Sequence, residues 1–205
     1  MGVVMSEPVK RKLVLVRHSL PEIVPSLPAS QWRLSEEGRL RCEKLAERLA
    51  LYEPAIVVTS LEPKAAETGQ IAADILGVPF KTASGLHEHQ RPRAGLFRTR
   101  EQFEARVARL FERPGELILG NETADQAHAR FATAIAAVVG QHPAGNLVVV
   151  THGTVLTLFV TRIVGLDPVP FWKRLGLPCF VVLLLPDLDL LKVVANVDAE
   201  RPLHI

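Results

Sequence analysis

The sequence predicts a three-layer α/β/α sandwich with a mostly parallel central sheet. Three short apolar runs rich in valine end abruptly in polar residues, at 12–16, 55–58 and 147–150. Such runs are typical of strands that are covered on both faces, as in a parallel sheet. Helical patterns separate each run from the next, and this alternation is the signature of βαβ units.

The helices are predicted from capping residues and from the spacing of apolar residues. Five are expected: one capped by Ser35, one between Pro63 and Gly77, one over 103–111, one from a capping box at Thr123 and Gln126 to about Gly140, and a buried one over 154–164. Apolar runs at 180–185 and 190–195 flank a turn sequence and predict a β-hairpin.

Length and composition favour one domain with a large core. At roughly 150 residues per domain, 205 residues predict a single domain over 1–205, with a flexible tail at 1–11. A hydrophobic content of 48% excludes wholesale disorder. No apolar run approaches the roughly 18 residues of a membrane span. Only two cysteines are present, which excludes a disulfide scaffold and fits a cytoplasmic location without a membrane partner.

Polar residues follow each of the three predicted strands. Arg17 and His18 follow the first, the segment 60–64 follows the second, and His152 and Gly153 follow the third. Ligands of open α/β sheets bind beyond the carboxyl ends of the strands, beside helix N-termini that favour anions. We therefore expect Arg17, His18, Lys64 and His152 to converge on an anion site; the alternative is that each histidine is a separate structural or surface residue.

Six sequence blocks, in chain order, resemble the histidine phosphatase superfamily, also called the phosphoglycerate mutase-like family. They are LVRH at 15–18, LSEEG at 34–38, SLEPKAAET at 60–68, LHE at 86–88, GNET at 120–123 and VTHG at 150–153. An Arg-His pair alone is a weak signal, but six blocks in order are specific. The resemblance spans residues 13 to about 160 and implies a phosphoglycerate mutase-like fold.

The resemblance implies a role for each matching residue. His18 matches the nucleophile that becomes phosphohistidine, Arg17 the guanidinium beside it, and His152 the second histidine of the phosphate pocket. Glu88 matches the acid that protonates the leaving oxygen and then activates water, and the N–H of Gly153 matches a phosphate contact. We therefore expect a metal-independent phosphomonoesterase of the histidine acid phosphatase type. Its partner would be a small phosphorylated substrate, and it would need no cofactor.

Elementary chemistry supports these roles. A phosphoryl group in transfer spreads negative charge over three oxygens, so catalysis is mostly positioning and positive charge. The Arg17 fork suits two of those oxygens, and Lys64 and a protonated His152 would add charge. Because His18 attacks only when neutral, we expect activity to fall below pH 6.5 or so, the ordinary histidine pKa. Glu88 must donate a proton, which predicts a raised pKa.

Three departures from the family pattern stand out. Ser19 replaces a glycine after the nucleophile; the exchange is either harmless or places a hydroxyl near the phosphate, where Ser19 is expected to be a substrate-binding group. The threonine or asparagine that usually follows a few residues later is missing. Lys64 replaces a second arginine, which keeps the charge but loses the bidentate fork. Lys64 either points into the pocket or is a solvated lysine in the first turn of a helix.

The stretch after Glu88 is basic. From His89 to Arg113, seven arginines stand against three glutamates, a net charge of +4 in a chain whose total is +2. In the family this region lies over the pocket and sets substrate choice, so we predict a substrate-lid insertion over 86–115 with Arg91 in substrate binding. A basic lid favours a substrate with a second anionic group; the alternative is a solvated helix face.

Several other functions remain open. His87 and His89 have the spacing of zinc ligands, although no Asp–His cluster completes a metal site and Arg17 would repel a cation. A phosphoglycerate mutase would use the same histidine, and a phosphoryl-ligand-binding module would keep the pocket without turnover. The near-neutral charge and the lack of interleaved aromatic residues disfavour nucleic acid as a partner. No glycine-rich dinucleotide or P-loop motif is present. The oligomeric state is open, a homodimer included.

Overall fold

A computed structural model describes residues 10–91 and 99–198. Within them a six-stranded sheet has the order β3-β2-β4-β1-β5-β6. Its strands are β1 (Lys12–Arg17), β2 (Pro54–Ser60), β3 (Phe80–Ala83), β4 (Asn146–Thr151), β5 (Cys179–Leu184) and β6 (Asp189–Val194). The strands β3, β2, β4 and β1 run parallel, and β5 and β6 are added antiparallel as the predicted hairpin. The mostly parallel sheet is thereby confirmed.

Five of the six α-helices in the described part of the chain correspond to the predicted ones, with bounds that differ by at most three residues. They are α1 (Glu36–Ala50), α2 (Pro63–Leu76), α3 (Arg100–Glu112), α4 (Ala124–Gln141), α5 (Gly153–Val164) and α6 (Pro168–Arg174), with a short 3-10 helix at Ala29–Gln31. Ser35 accepts a hydrogen bond from the Gly38 N–H, and Thr123 forms the capping box with Gln126. Gly77 ends α2 in the left-handed conformation, with φ of 66°.

The sheet buries a separate apolar cluster on each face. Leu13 and Leu15 of β1 join Phe131 of α4 and much of α5 on one side. Val14 and Val16 join Leu45 of α1 and residues of α2 on the other. Successive side chains of a strand point to opposite faces, so β1 contributes to both clusters. This gives the predicted layers of helix, sheet and helix.

Two elements and part of the tail differ from prediction. The β3 strand is a short edge strand, and α6 has only seven residues, capped by Asp167; neither was predicted. Residues 1–9 of the predicted tail lie outside the described residues. Arg11, predicted to be flexible, instead donates hydrogen bonds to the carbonyls of Gly145, at 2.8 Å, and His142. It is therefore tied to the loop before β4.

The predicted lid contains α3. Residues 92–98 of that segment lie outside the described part of the chain, and helix α3 follows them. Thr99 caps α3, and its buried Val107, Leu110 and Phe111 pack on the core. Over 10–91 and 99–198, no helix has the length and apolar character needed to cross a membrane.

Candidate active site

Two adjacent parallel strands bring the two predicted site histidines together. In the pairing of β1 with β4, Arg17 lies opposite Thr151, so the residues that follow both strands emerge at the same edge. The backbone N–H of His18 donates to the Thr151 carbonyl at 2.9 Å. The imidazole rings of His18 and His152 meet edge to face, with centroids 5.1 Å apart.

His18 is buried and held in one tautomer. Its Nδ1 lies 2.7 Å from the carbonyl oxygen of Ser19. A carbonyl only accepts, so Nδ1 carries the proton and Nε2 keeps its lone pair. Burial, followed by the influence of His152 and Lys64, holds the pKa of His18 well below its ordinary value. His18 is therefore neutral, and the ordinary value of about 6.5 used for its activity limit is wrong for this histidine.

His152 is fully buried at the start of α5. Its Nε2 lies 2.9 Å from the Ser60 hydroxyl, and its Nδ1 has no hydrogen-bond partner among the described residues. Burial, reinforced by the nearby charge of Lys64, holds its pKa well below the usual range. The expectation of a protonated His152 that adds positive charge is therefore wrong, because a buried imidazole beside a cation releases its proton.

Arg17 lies against Gly153. A Cβ atom at position 153 would be 2.9 Å from Arg17 Nε and 3.0 Å from its Cζ, so only glycine leaves the guanidinium this place. Nη1 donates to the Leu175 carbonyl at 2.6 Å. Nε is buried and has no partner within 10–91 and 99–198. The Arg17 side chain is thus held through Nη1, and its Nε–H is left without an acceptor among the described residues.

Lys64 is buried, with 4% of its surface exposed. Its ammonium donates to the Ala29 carbonyl at 2.7 Å and pairs with the Glu62 carboxylate. Its charge contributes to the lowered pKa of both His18 and His152. The interpretation of Lys64 as a solvated lysine is therefore wrong.

Glu62 is a site residue that the sequence reasoning did not single out. Besides pairing with Lys64, it accepts the Glu88 N–H at 3.0 Å and lies 3.7 Å from His152 Nδ1. Burial raises the pKa of its carboxyl, against the opposing charge of Lys64. The only sequence signal was an acid two residues before the lysine, at a turn between strand and helix.

Glu88 caps helix α5 from outside the helix. Its two carboxylate oxygens accept the N–H groups of Thr154, at 3.1 Å, and Val155, at 3.3 Å, and one also accepts the His89 N–H. Burial by itself raises the pKa of this carboxyl. The Arg91 charge and the N–H donors outweigh burial and lower the pKa to about 2. The expectation of a raised pKa is wrong, because carboxylates at helix N-termini are stabilised in the charged form.

Arg91 lies beside Glu88, whereas Ser19 belongs to the supporting loop. The Arg91 guanidinium donates to the Thr154 hydroxyl, lies 3.7 Å from Glu88 Oε2 and covers the Phe103 ring at 5.0 Å. The Ser19 hydroxyl is fully buried and donates to the Gly38 carbonyl at 2.7 Å. That donor is used within the fold, so we leave Ser19 out of substrate binding.

A cavity of about 670 Å³ lies beside α3. Its lining includes Arg106 and Arg109 of α3 and Ile118, Leu119 and Gly120 from the loop before α4. Gly120 packs against the Gln90 carbonyl, where a Cβ atom would approach to 2.0 Å. Both arginines are exposed, so they border an open cleft on the surface beside α3.

The histidines beside Glu88 have protein partners. Nε2 of His87 contacts the Gln90 amide, and Nε2 of the buried His89 contacts the Glu122 carbonyl at 2.8 Å. Among the described residues, no group of three or more His, Cys, Asp or Glu is arranged to hold a metal ion. The geometry therefore does not support the zinc-site alternative.

Two histidines and two cations thus lie at one strand edge of an α/β sandwich. The model of the histidine phosphatase superfamily (branch 1) matches residues 13–196, and the chain belongs to that family. A comparison with curated protein sequences found no match.

Solved structures of phosphatases share the fold. Mycobacterial glucosyl-3-phosphoglycerate phosphatase with VO3 is 25% identical, with a TM-score of 0.70 over 91% of this chain and 98% of that one. The α-ribazole phosphatase of Shigella flexneri is 18% identical, with a TM-score of 0.68 over 91% and 96%. A phosphoserine phosphatase mutant of Entamoeba histolytica, in complex with phosphoserine, is 15% identical, with a TM-score of 0.69 over 90% and 97%.

Proposed function

We propose that this protein is a phosphatase that hydrolyses a small phosphomonoester through a phosphohistidine on His18. The observation that carries the proposal is the hydrogen bond from His18 Nδ1 to the Ser19 carbonyl. It leaves the lone pair of Nε2 free to attack, on a neutral imidazole beside the Arg17 guanidinium. The match to the family and the phosphatases that share its fold support the same activity.

In the first step, His18 Nε2 bonds to phosphorus as the bond from phosphorus to the ester oxygen breaks. Arg17 and Lys64 offset the charge on the transferring oxygens, and the N–H of Gly153 faces them from the N-terminus of α5. An aryl leaving group departs without needing a proton, whereas an alkoxide takes one from solvent or from an acid in the pocket. His152 contributes a neutral imidazole to the pocket.

In the second step, water attacks the phosphohistidine and releases inorganic phosphate. Glu88 accepts the proton of that water, because its carboxylate is ionised, with a pKa lowered to about 2. The bond from nitrogen to phosphorus breaks, and His18 returns to its neutral form. No metal or cofactor takes part in either step.

Neighbouring phosphatases and the residues beside Glu88 support a substrate class. Mycobacterial glucosyl-3-phosphoglycerate phosphatase has been solved with inorganic phosphate, and the amoebal enzyme with phosphoserine. Arg91 beside Glu88 supports a small phosphoester with a second anionic group. Cys42 and Cys179 are free and buried, which supports a reducing, cytoplasmic setting.

Steady-state hydrolysis of an aryl phosphate tests the proposal. We expect the wild type to release phosphate and His18→Ala to lose about 10³-fold or more of kcat/KM, because no other group replaces the nucleophile. His142→Ala, a histidine at the end of α4, is the matched control and should retain full activity. A wild type without turnover, or a His18→Ala variant with wild-type turnover, contradicts the proposal.

A phosphoryl-ligand-binding module is the second candidate. It is favoured by the pairing of Lys64 with Glu62, which already neutralises one cation of the pocket. Phosphate binding measured by calorimetry, without any hydrolysis of aryl phosphates or phosphoglycerates, would establish this alternative. Phosphoryl return to a phosphoglycerate, rather than release to water, would establish a mutase.

A further inference from the structure

One carboxylate, that of Glu62, connects three elements of the pocket. Its Oε1 accepts the backbone N–H of Glu88 at 3.0 Å. Its Oε2 pairs with the Lys64 ammonium and lies 3.7 Å from Nδ1 of His152. The Glu62 and Lys64 side chains are only 11% and 6% exposed. The Glu62–Lys64 pair is therefore a buried ion pair inside the anion site.

A buried lysine needs such a partner. An ammonium group on a flexible four-carbon stem has no fixed direction, unlike a guanidinium fork. Two acceptors, the Glu62 carboxylate and the Ala29 carbonyl, fix the position of Lys64 Nζ. An ammonium has three N–H donors, so one remains for a phosphate oxygen.

We propose that Glu62 is a positioning residue that acts through Lys64, holding its ammonium in place for the transferring phosphoryl group. The proposal rests on the phosphatase function proposed above. Glu62 has no role as nucleophile or proton carrier in it. Its contribution is the direction and the position of the Lys64 donor.

The arrangement has an electrostatic cost. A carboxylate in an anion site repels a phosphate dianion unless a cation neutralises it. While Lys64 is present, the pair is neutral and the ammonium is in place. Without Lys64, Glu62 becomes an unpaired buried charge facing the substrate. Removal of the Glu62 charge should therefore have opposite effects with and without Lys64.

A double-mutant cycle tests this sign change. Glu62→Gln keeps the size of the side chain and an oxygen that accepts the Glu88 N–H, so only the charge is lost. Lys64→Met removes the ammonium and keeps much of the stem. We expect Glu62→Gln to lower kcat/KM for an aryl phosphate about 10-fold in the wild type, and to raise it about 3-fold in Lys64→Met.

The matched control is Glu67→Gln, on the helix that carries Lys64. Glu67 pairs with Arg33 and Arg39 on the outer side of α2 and is 16% exposed. Glu67→Gln removes the charge of a partly buried carboxylate that does not pair with Lys64. We therefore expect kcat/KM to change less than 2-fold in either background. Thermal unfolding of every variant checks that each one is folded.

A second measurement does not depend on turnover. Phosphate affinity is measured by calorimetry with inorganic phosphate. Glu62→Gln should tighten phosphate binding in the Lys64→Met background, and its effect on phosphate affinity in the wild type should be less favourable. The same fold-loss from Glu62→Gln in both backgrounds overturns the inference, because Glu62 would then only support the fold.

The outcomes also separate this inference from the proposed function. If the wild type hydrolyses the aryl phosphate but the coupling between Glu62 and Lys64 is below 2-fold, this inference alone is overturned. Coupling in phosphate binding without any hydrolysis overturns the proposed function and supports the positioning role. A wild type that neither hydrolyses nor binds phosphate overturns both.

Discussion

The Arg17 guanidinium occupies the space that a side chain at Gly153 would fill. A Cβ atom at position 153 would lie 2.9 Å from Arg17 Nε and 3.0 Å from Cζ. Gly153 is also the first residue of α5, directly after His152. The absence of a side chain at Gly153 thus allows the Arg17 guanidinium to lie beside the residue that follows His152.

Gly153→Ala is predicted to impair catalysis by moving Arg17. A methyl group displaces the guanidinium by a fraction of an ångström to an ångström, and misplacement on that scale costs about 10²-fold in rate. We expect kcat/KM for an aryl phosphate to fall by that factor. Gly140→Ala is the control, because a Cβ there meets nothing within 4 Å. Equal activity of the two variants would show that Arg17 does not need its present position.

Stability should decrease as pH falls below about 6.5, because His152 is buried in its neutral form. Its folded pKa lies well below the unfolded value, so the unfolded chain binds the extra proton. The stabilisation is complete above the unfolded pKa and is lost as pH falls towards the folded one, at up to about 1.4 kcal/mol per pH unit. Urea unfolding at pH 7.5, 6.5 and 5.5 measures it.

The variant His152→Asn isolates this contribution from those of other titrating groups. Asparagine has no proton to gain in this range, so the free energy of unfolding of the variant should depend less steeply on pH than that of the wild type. Parallel curves for the two proteins between pH 6.5 and 5.5 would contradict a neutral, buried His152.

Glu88→Gln is predicted to slow the second step more than the first. The amide cannot accept the proton of the attacking water, and loss of a general base costs about 10²- to 10⁴-fold. An aryl phosphate needs no acid for its departure, so His18 should still be phosphorylated. Rapid-quench kinetics should show a burst of phenol followed by slow turnover. Slow phenol release without a burst would assign Glu88 to the first step.

Chelation is predicted to leave activity intact. Arg17 and Lys64 supply the positive charge that a metal would otherwise bring to the phosphoryl group. Hydrolysis of an aryl phosphate after dialysis against EDTA should equal that before dialysis. Loss of activity that zinc or magnesium restores would contradict the proposed metal-independent mechanism.

Local signals predicted most of the fold. Each of these signals occupies only a few consecutive residues, as in the apolar runs of β1 and β4 and the cap at Ser35. The secondary structure that they predict therefore does not depend on distant contacts. The strand β3 and the helix α6 were missed for physical reasons. A four-residue edge strand with exposed Lys81 and Thr82 has no apolar run, and a seven-residue helix is barely two turns long.

The sequence predicted which residues form the candidate site, but not which of them are protonated. The order of the motifs predicted that His18, His152 and Lys64 lie at one edge of the sheet. The protonation of His152 and Glu88 depends instead on burial and on the N-terminus of α5, contacts between segments more than 60 residues apart. For the same reason, no sequence pattern revealed that Glu62 contacts both Lys64 and the backbone of Glu88.

The most direct test of the central claim is to trap the covalent intermediate. The wild type is mixed with an aryl phosphate, quenched in base and mapped by peptide mass spectrometry. We predict a base-stable, acid-labile phosphate on His18, absent from His18→Ala and more abundant in Glu88→Gln. Turnover of the aryl phosphate without phosphate on His18 in any of these proteins, or with the phosphate on another residue, would contradict the phosphohistidine mechanism.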